Sequence, residues 1–250
     1  ADPNISLPET LDRVLGPGGT PALFSILLKY FFKFFQYDPN VGKFLNLILG
    51  VAAIPFGFLI SKELKIKESS VLFSFFICTN IYLINYSQEV RPYTLLVLIS
   101  FLNIFLFLKA INEYKNKNLF YILCSSVFII NILGFSTHPY FLIIIVSEIS
   151  YCLIQIILKK KQFIKIFLIL TFSLIFSFLI QYDYILSLSD QEAFYSWGGD
   201  YLNVKFLYEF YFPRFFGSKI MGAIYMIALI SLIIYFRRKI FFSSHYFIFV

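Results

Sequence analysis

The chain has 250 residues, of which 59% are hydrophobic and only 14% charged, and its mean hydropathy is +0.79. A soluble core cannot hide that much apolar surface, so a water-soluble globular fold is excluded and a membrane-embedded one expected. The formal net charge of +7 would suit a polyanionic partner, but the positions of the basic residues explain it as membrane topology and leave no need for nucleic acid.

In chain order, Ser6-Leu-Pro-Glu9 has the spacing of a helix start, a hydroxyl three residues before a carboxylate, and predicts a short helix over 7–15. The run GPGGTP then breaks it. Residues 21–36 are apolar but carry Lys29 and Lys33 four apart, hence on one helical face. That basic stripe predicts a helix lying in the headgroup region, the alternative being a true crossing. At about 20 apolar residues per crossing, membrane spans are expected near 41–61, 69–85, 92–109, 119–136, 139–158, 163–181 and 217–236, with an eighth beginning near 240. The organisation is thus an outer region over 1–40 and a transmembrane helical domain over 41–250 that includes an outer loop at 182–216. The expected fold class is all-α, a polytopic transmembrane helical bundle with an interfacial helix and loops on its outer side. The chain opens on Ala1 with no signal-peptide pattern and closes on SSHYFIFV as another apolar segment begins, so a piece of a longer polypeptide is expected.

Alternate loops divide the basic residues unevenly. One set carries thirteen: Lys62, Lys65 and Lys67, then Lys109, Lys115 and Lys117, then Lys159, Lys160, Lys161 and Lys165, then Arg237, Arg238 and Lys239. The other carries five, Lys43, Arg91, Lys205, Arg214 and Lys219. Positive residues are retained in the cytoplasm, so the first set is read as cytoplasmic in a multi-pass protein of the cell's inner membrane. The polar groups that topology leaves unexplained then fall on the extracytoplasmic side, in 1–40, in NYSQEVRPY (85–93), in the turn at STHPYF (136–141) and in 182–216.

Within NYSQEVRPY, Pro92 suits the first turn of the next helix, which puts Glu89 and Arg91 at the membrane surface. A plain helix mouth would account for them: Glu favours the helix dipole, Arg snorkels, and the tyrosines join an interfacial belt. The functional reading is that Arg91 grips a phosphate with its planar fork of donors, Glu89 orients it or a sugar hydroxyl, and Tyr93 completes the binding surface. His138 stands just before Pro139 at the next helix mouth, a place where histidine is more often structural than catalytic. Glu148 falls near mid-span, where a charge costs roughly 2.5–3.5 kcal/mol on insertion scales, so it is expected to face other helices. Trp197, followed by Gly198, Gly199 and Asp200, has the aromatic face a pyranose stacks on, and equally the place of an interfacial Trp. Cys78, Cys124 and Cys152 lie in apolar runs without ligand spacing and are read as small hydrophobes; no metal site is assigned and no bound cofactor is evident.

The order GTPALFSILLKYFFKFF, a span, YSQEVRPYTLLVL, STHPYFLIII, then a loop with YSW and FPRFFGS resembles the polytopic GT-C glycosyltransferases. It is most similar to the bacterial relatives of the protein O-mannosyltransferases and of the lipid A aminoarabinose transferase, of glycosyltransferase family 39 type. Thr20-Pro21 departs from the Pro-Pro pair of those relatives. The resemblance implies an enzyme that takes a sugar from a polyprenyl-phosphate carrier and attaches it, with inversion, to a glycan, lipid or protein acceptor outside the membrane. It implies a carboxylate as general base, Arg91 neutralising the phosphate that leaves, and His138 assisting. The family's acid pair lies upstream of the stretch matching Pro21, so the base is expected before this chain begins; Asp2 is the acid nearest that place, and Asp12 falls within the short helix. A flippase or polymerase of lipid-linked glycans is the alternative, and should carry charges in several spans.

Overall fold

In hydrocarbon a backbone must satisfy its own N–H and C=O groups, and a helix does so within one segment. The apolar runs accordingly fold as helices in the computed structural model, which describes residues 2–15, 21–65, 70–182, 184–185, 208–209, 213, 218–224, 226–227 and 230–231. The described residues contain no strand and form an all-α polytopic bundle.

Helix α1 spans Leu7–Leu15. Its start is the expected one: Ser6 Oγ accepts from Glu9 N at 3.3 Å, while the Glu9 carboxylate turns instead to Arg13 at 2.8 Å. Helix α2 spans Ala22–Phe34 and α3 spans Pro39–Glu63, the latter opened by Asp38, whose carboxylate accepts from Asn40 N at 2.7 Å. Next come α4 (Ser70–Thr79), α5 (Ile81–Ser87), α6 (Tyr93–Asn112) and α7 (Lys117–Phe135). A single 3₁₀ turn, Pro139–Phe141, leads into α8 (Leu142–Ile157), and α9 runs over Phe163–Ile180.

Five of these stretches are long and apolar enough to cross a membrane: α3, α6, α7, the 3₁₀ turn with α8, and α9. The pair α4–α5 makes a sixth if counted as one broken span. The expected segment over 69–85 is therefore not one continuous helix. It is two helices bent by 52° at Asn80, because the Asn80 side chain accepts from Leu83 N at 3.1 Å and starts a new helix there. Pro92 is also displaced by one position, serving as the N-cap of α6 rather than its first residue. The expected spans at 217–236 and from 240 lie outside the described residues or are described only in part.

α3 packs against α4 and α6, α6 against α7, and α9 against both α7 and α8. One buried cluster, around Phe107, Leu123, Tyr151 and Leu170, joins α6 to α9. A second, around Phe24, Leu28, Leu45, Leu95, Phe141 and Ile145, ties α2 and α3 to α6 and α8. The outward faces are apolar as well: Val71 is 73% exposed and Leu179 66%. Such a surface is stable only against lipid tails, and the protein is a multi-pass membrane protein in contact with lipid. The described lysine-rich loops gather at one end, where the Asn112 amide of α6 donates to the Glu63 backbone carbonyl of α3 at 3.0 Å. Arg91 and His138 lie at the other.

Candidate functional site

The site grows from one buried amide. Asn46, in the third turn of α3, is fully buried, and its Nδ2 donates to the backbone carbonyls of Glu89 and Arg91, the latter at 3.0 Å. An amide among apolar neighbours is retained only where it has partners. Here those partners are backbone carbonyls of a turn that belongs to no helix, so Asn46 fixes the turn's shape against α3. Within the turn Gln88 N donates to Asn85 O at 3.1 Å and Arg91 N to Glu89 O at 3.0 Å.

On this platform Arg91 Nε lies 3.1 Å from Glu89 Oε2, with the two side chains 60% and 49% exposed. An ion pair so exposed contributes about 0–1 kcal/mol to stability. Its consequence is orientation: Glu89 engages Nε and leaves the terminal guanidinium nitrogens of Arg91 without a partner among the described residues. These are the planar pair of donors that suits a phosphate.

A ladder of rings runs from this turn to the next. Tyr86 is 4.5 Å from Tyr93 between centroids, Tyr93 is 5.5 Å from His138, and His138 is 4.6 Å from Tyr140. His138 is set by its own chain: Tyr140 N donates to Nδ1 at 3.2 Å, so in the neutral ring Nε2 carries the hydrogen. Burial draws this imidazole below the ordinary value for histidine, since the charged ring loses water. Phe141 holds the turn from beneath, packed so closely on Gly134 that a Cβ there would fall 2.5 Å from the ring. Ser136 joins two further elements, its carbonyl accepting from Leu23 N at the start of α2 (3.1 Å) and its hydroxyl from Gln181 Nε2 at the end of α9 (3.0 Å).

Glu89, Arg91, Tyr93 and His138 are thus brought to one end of the bundle, on two adjoining turns. Asp2 is not joined to them by any described contact: its Oδ1 accepts from Asn4 N at 2.8 Å, and its backbone carbonyl accepts from Lys29 Nζ at 3.0 Å. Asp12 is exposed on α1. Lys29 corrects the expected basic stripe. It is buried, only 6% exposed, with its ammonium held by the carbonyls of Asp2 and Ile5, while Lys33 alone is exposed. The ammonium thereby straps the amino-terminal segment to α2. Trp197 and its neighbours lie outside the described residues. No group of three His, Cys, Asp or Glu among the described residues is close enough to hold a metal ion.

Deeper in the bundle, Glu148 on α8 is buried and accepts from Asn103 Nδ2 on α6 at 2.9 Å, and Asn131 on α7 donates to Ser173 Oγ on α9 at 2.8 Å. Asn46 and Asn103 were not evident as partners in the sequence. A lone Asn in an apolar helix was the only signal, and nothing in its spacing says what it meets. Comparison of the chain with protein-family models, with characterised proteins and with solved structures finds no match.

Proposed function

We propose that the protein is an inner-membrane glycosyltransferase of the GT-C type, moving a sugar from a polyprenyl-phosphate carrier to an acceptor on the outer side. The observation that carries the reading is the Arg91–Glu89 pair on a turn clamped by Asn46, beside Tyr93 and His138. In the reaction a carboxylate takes the proton of the acceptor hydroxyl, and the oxygen attacks the anomeric carbon. The bond from that carbon to the phosphate oxygen then breaks, the configuration inverts, and polyprenyl phosphate leaves with the bonding pair. Arg91 neutralises the charge developing on the phosphate, an interaction stronger in the transition state than in the ground state. Glu89 holds the guanidinium in place, and the His138 Nε2–H is a donor for a sugar hydroxyl or phosphate oxygen. Asp2 is the acid of this chain nearest to where the family places its base.

The test is release of polyprenyl phosphate from carrier-linked sugars in membranes, with wild type beside Arg91→Ala. The expected result is turnover that falls about 10²–10³-fold in the variant, the scale for loss of one transition-state donor. A variant that matches wild type would remove the phosphate from Arg91. A second reading, a flippase for lipid-linked glycans, draws on the buried Glu148–Asn103 pair, because ionisable groups within spans commonly mark a transport path. Movement of labelled lipid across the bilayer with no sugar transfer would favour it.

A further inference from the structure

Helices α6 and α8 each carry one half of the outer site, Tyr93 opening the first and His138 standing at the mouth of the second. Their backbones pack mainly elsewhere, α6 on α3 and α7, and α8 on α9. What joins them is a file of side chains in three layers. At the surface is the contact between the Tyr93 and His138 rings. Below it, Leu95 and Ile99 share a buried cluster with Phe141 and Ile145. At mid-membrane stands the Asn103–Glu148 pair, ten residues beyond Tyr93 and ten beyond His138, about 15 Å along a helix.

With an ionised carboxylate that pair is incomplete. Asn103 is 0% exposed and Glu148 1%. Asn103 Nδ2 donates to Glu148 Oε1, which leaves two buried oxygens, Glu148 Oε2 and Asn103 Oδ1, without a hydrogen-bond partner. Both are acceptors, so what the pair lacks is a hydrogen to donate. Among the described residues no Lys, Arg or His forms an ion pair with Glu148. The titratable side chains packed around this part of α8 are Tyr151 and Cys152 on α8 itself and Cys124 on α7, none of them a cation. Charges on the neighbouring helices are engaged or stand at helix ends: Lys29 of α2 on backbone carbonyls, Lys109 of α6 over the Phe105 ring, Lys117 at the start of α7, and Lys165 of α9 donating to Tyr121. His138 and Tyr140 lie at the outer mouth. A carboxylate so placed in hydrocarbon has nothing to offset its lost water, and taking up a proton discharges it.

We infer that Glu148 is a proton-binding site whose bound proton, carried on Oε2 and donated to Asn103 Oδ1, closes a ring of two hydrogen bonds that fixes α6 against α8 and so sets Tyr93 beside His138. One O–H bond forms, both orphaned oxygens are served, and the negative charge is lost. Neither residue reaches the outer turns, so both are positioning residues, whichever reaction those turns perform. Glutamine is the neutral counterpart at position 148: its Oε1 accepts from Asn103 Nδ2 and its Nε2 donates to Oδ1, the same ring with nothing to titrate.

The test uses the chain in phosphatidylcholine nanodiscs, in potassium buffer at neutral pH. Infrared spectra of protein containing isotope-labelled glutamate are expected to show the C=O stretch of a protonated carboxyl, apart from the carboxylate bands. That band should be lost in Glu148→Gln and shifted in Asn103→Ala. A through-space magnetic-resonance cross peak between the Tyr93 and His138 rings should be present in wild type and in Glu148→Gln, and lost in Glu148→Ala and Asn103→Ala. Wild type alone supplies a further reading that needs no variant: raising the pH until the carboxyl band disappears should remove the ring cross peak with it, while Glu148→Gln keeps its cross peak throughout. A wild type with no protonated band, a band that survives Glu148→Gln, or one that sodium chloride abolishes by putting a cation in the proton's place would each overturn the inference. So would a ring cross peak that persists in both alanine variants, outlives the band in wild type, or is missing from Glu148→Gln.

Discussion

His138 is the side chain whose titration reports on the site. Its folded value lies below the ordinary 6.5 because burial disfavours the imidazolium. Between the two values the unfolded chain binds more protons than the folded one, so stability rises with pH there. The contribution is complete above about 6.5 and is lost as pH falls through the folded value. Protonation also removes the Nδ1 acceptor that holds Tyr140 N. His138→Asn keeps a side-chain acceptor at this cap and cannot titrate. Thermal unfolding in detergent between pH 7 and 5 should therefore show a fall in midpoint for wild type that is visibly smaller in His138→Asn; parallel curves would refute the argument. The neighbours of this residue illustrate what could be read from a string of letters. Glu89, Arg91 and His138 stood out because polar groups at the mouths of apolar runs are conspicuous. Asn46 did not, since the two carbonyls it serves are more than forty residues away. Lys29 was legible as basic and misleading as to place: spacing puts it on a face with Lys33, but only the fold brings the carbonyls of Asp2 and Ile5 over its ammonium.

Among the elements, α6 and α8 are joined at mid-membrane by Asn103 and Glu148. A buried polar contact in lipid is worth less than intuition suggests, because helices separated in the bilayer find other partners; measured couplings average about 0.6 kcal/mol. A double-mutant cycle of Asn103→Ala and Glu148→Ala, read by unfolding in mixed micelles, should give a coupling of about 0.6 kcal/mol and no more than about 1.7. A value near zero would mean that the two side chains do not meet. Glu148→Gln should keep most of the stability, as an amide retains an acceptor for Asn103 Nδ2. The helices themselves were legible, and their ends fell within a few residues of expectation, because the bilayer dictates both length and polarity. The break of α4–α5 was not. Hydropathy over 69–85 is continuous, and only the local competition of the Asn80 side chain for Leu83 N breaks one helix into two.

At the scale of the whole molecule, the bundle has a lysine-rich end and an end that gathers Arg91, His138 and the start of α2. In a cysteine-free background, a cysteine at Gln88 should react with a membrane-impermeant maleimide in intact cells, and one at Lys115 only after permeabilisation. Both positions are exposed in the fold, and labelling of both from the same side would overturn the assignment of sides. The amino-acid sequence by itself determined the class, the places of the apolar segments through residue 181 and the alternation of basic loops, because each follows from transfer of single segments between water and hydrocarbon, a local quantity summed along the chain. The tertiary structure alone decided that Asn46 clamps the Arg91 turn, that Tyr93 meets His138, that Lys29 is buried, and that Asn103 meets Glu148. Each of these depends on which helix faces which, and lipid-embedded helices choose their neighbours by close packing and a few hydrogen bonds, terms too small and too distant along the chain to appear in any local pattern.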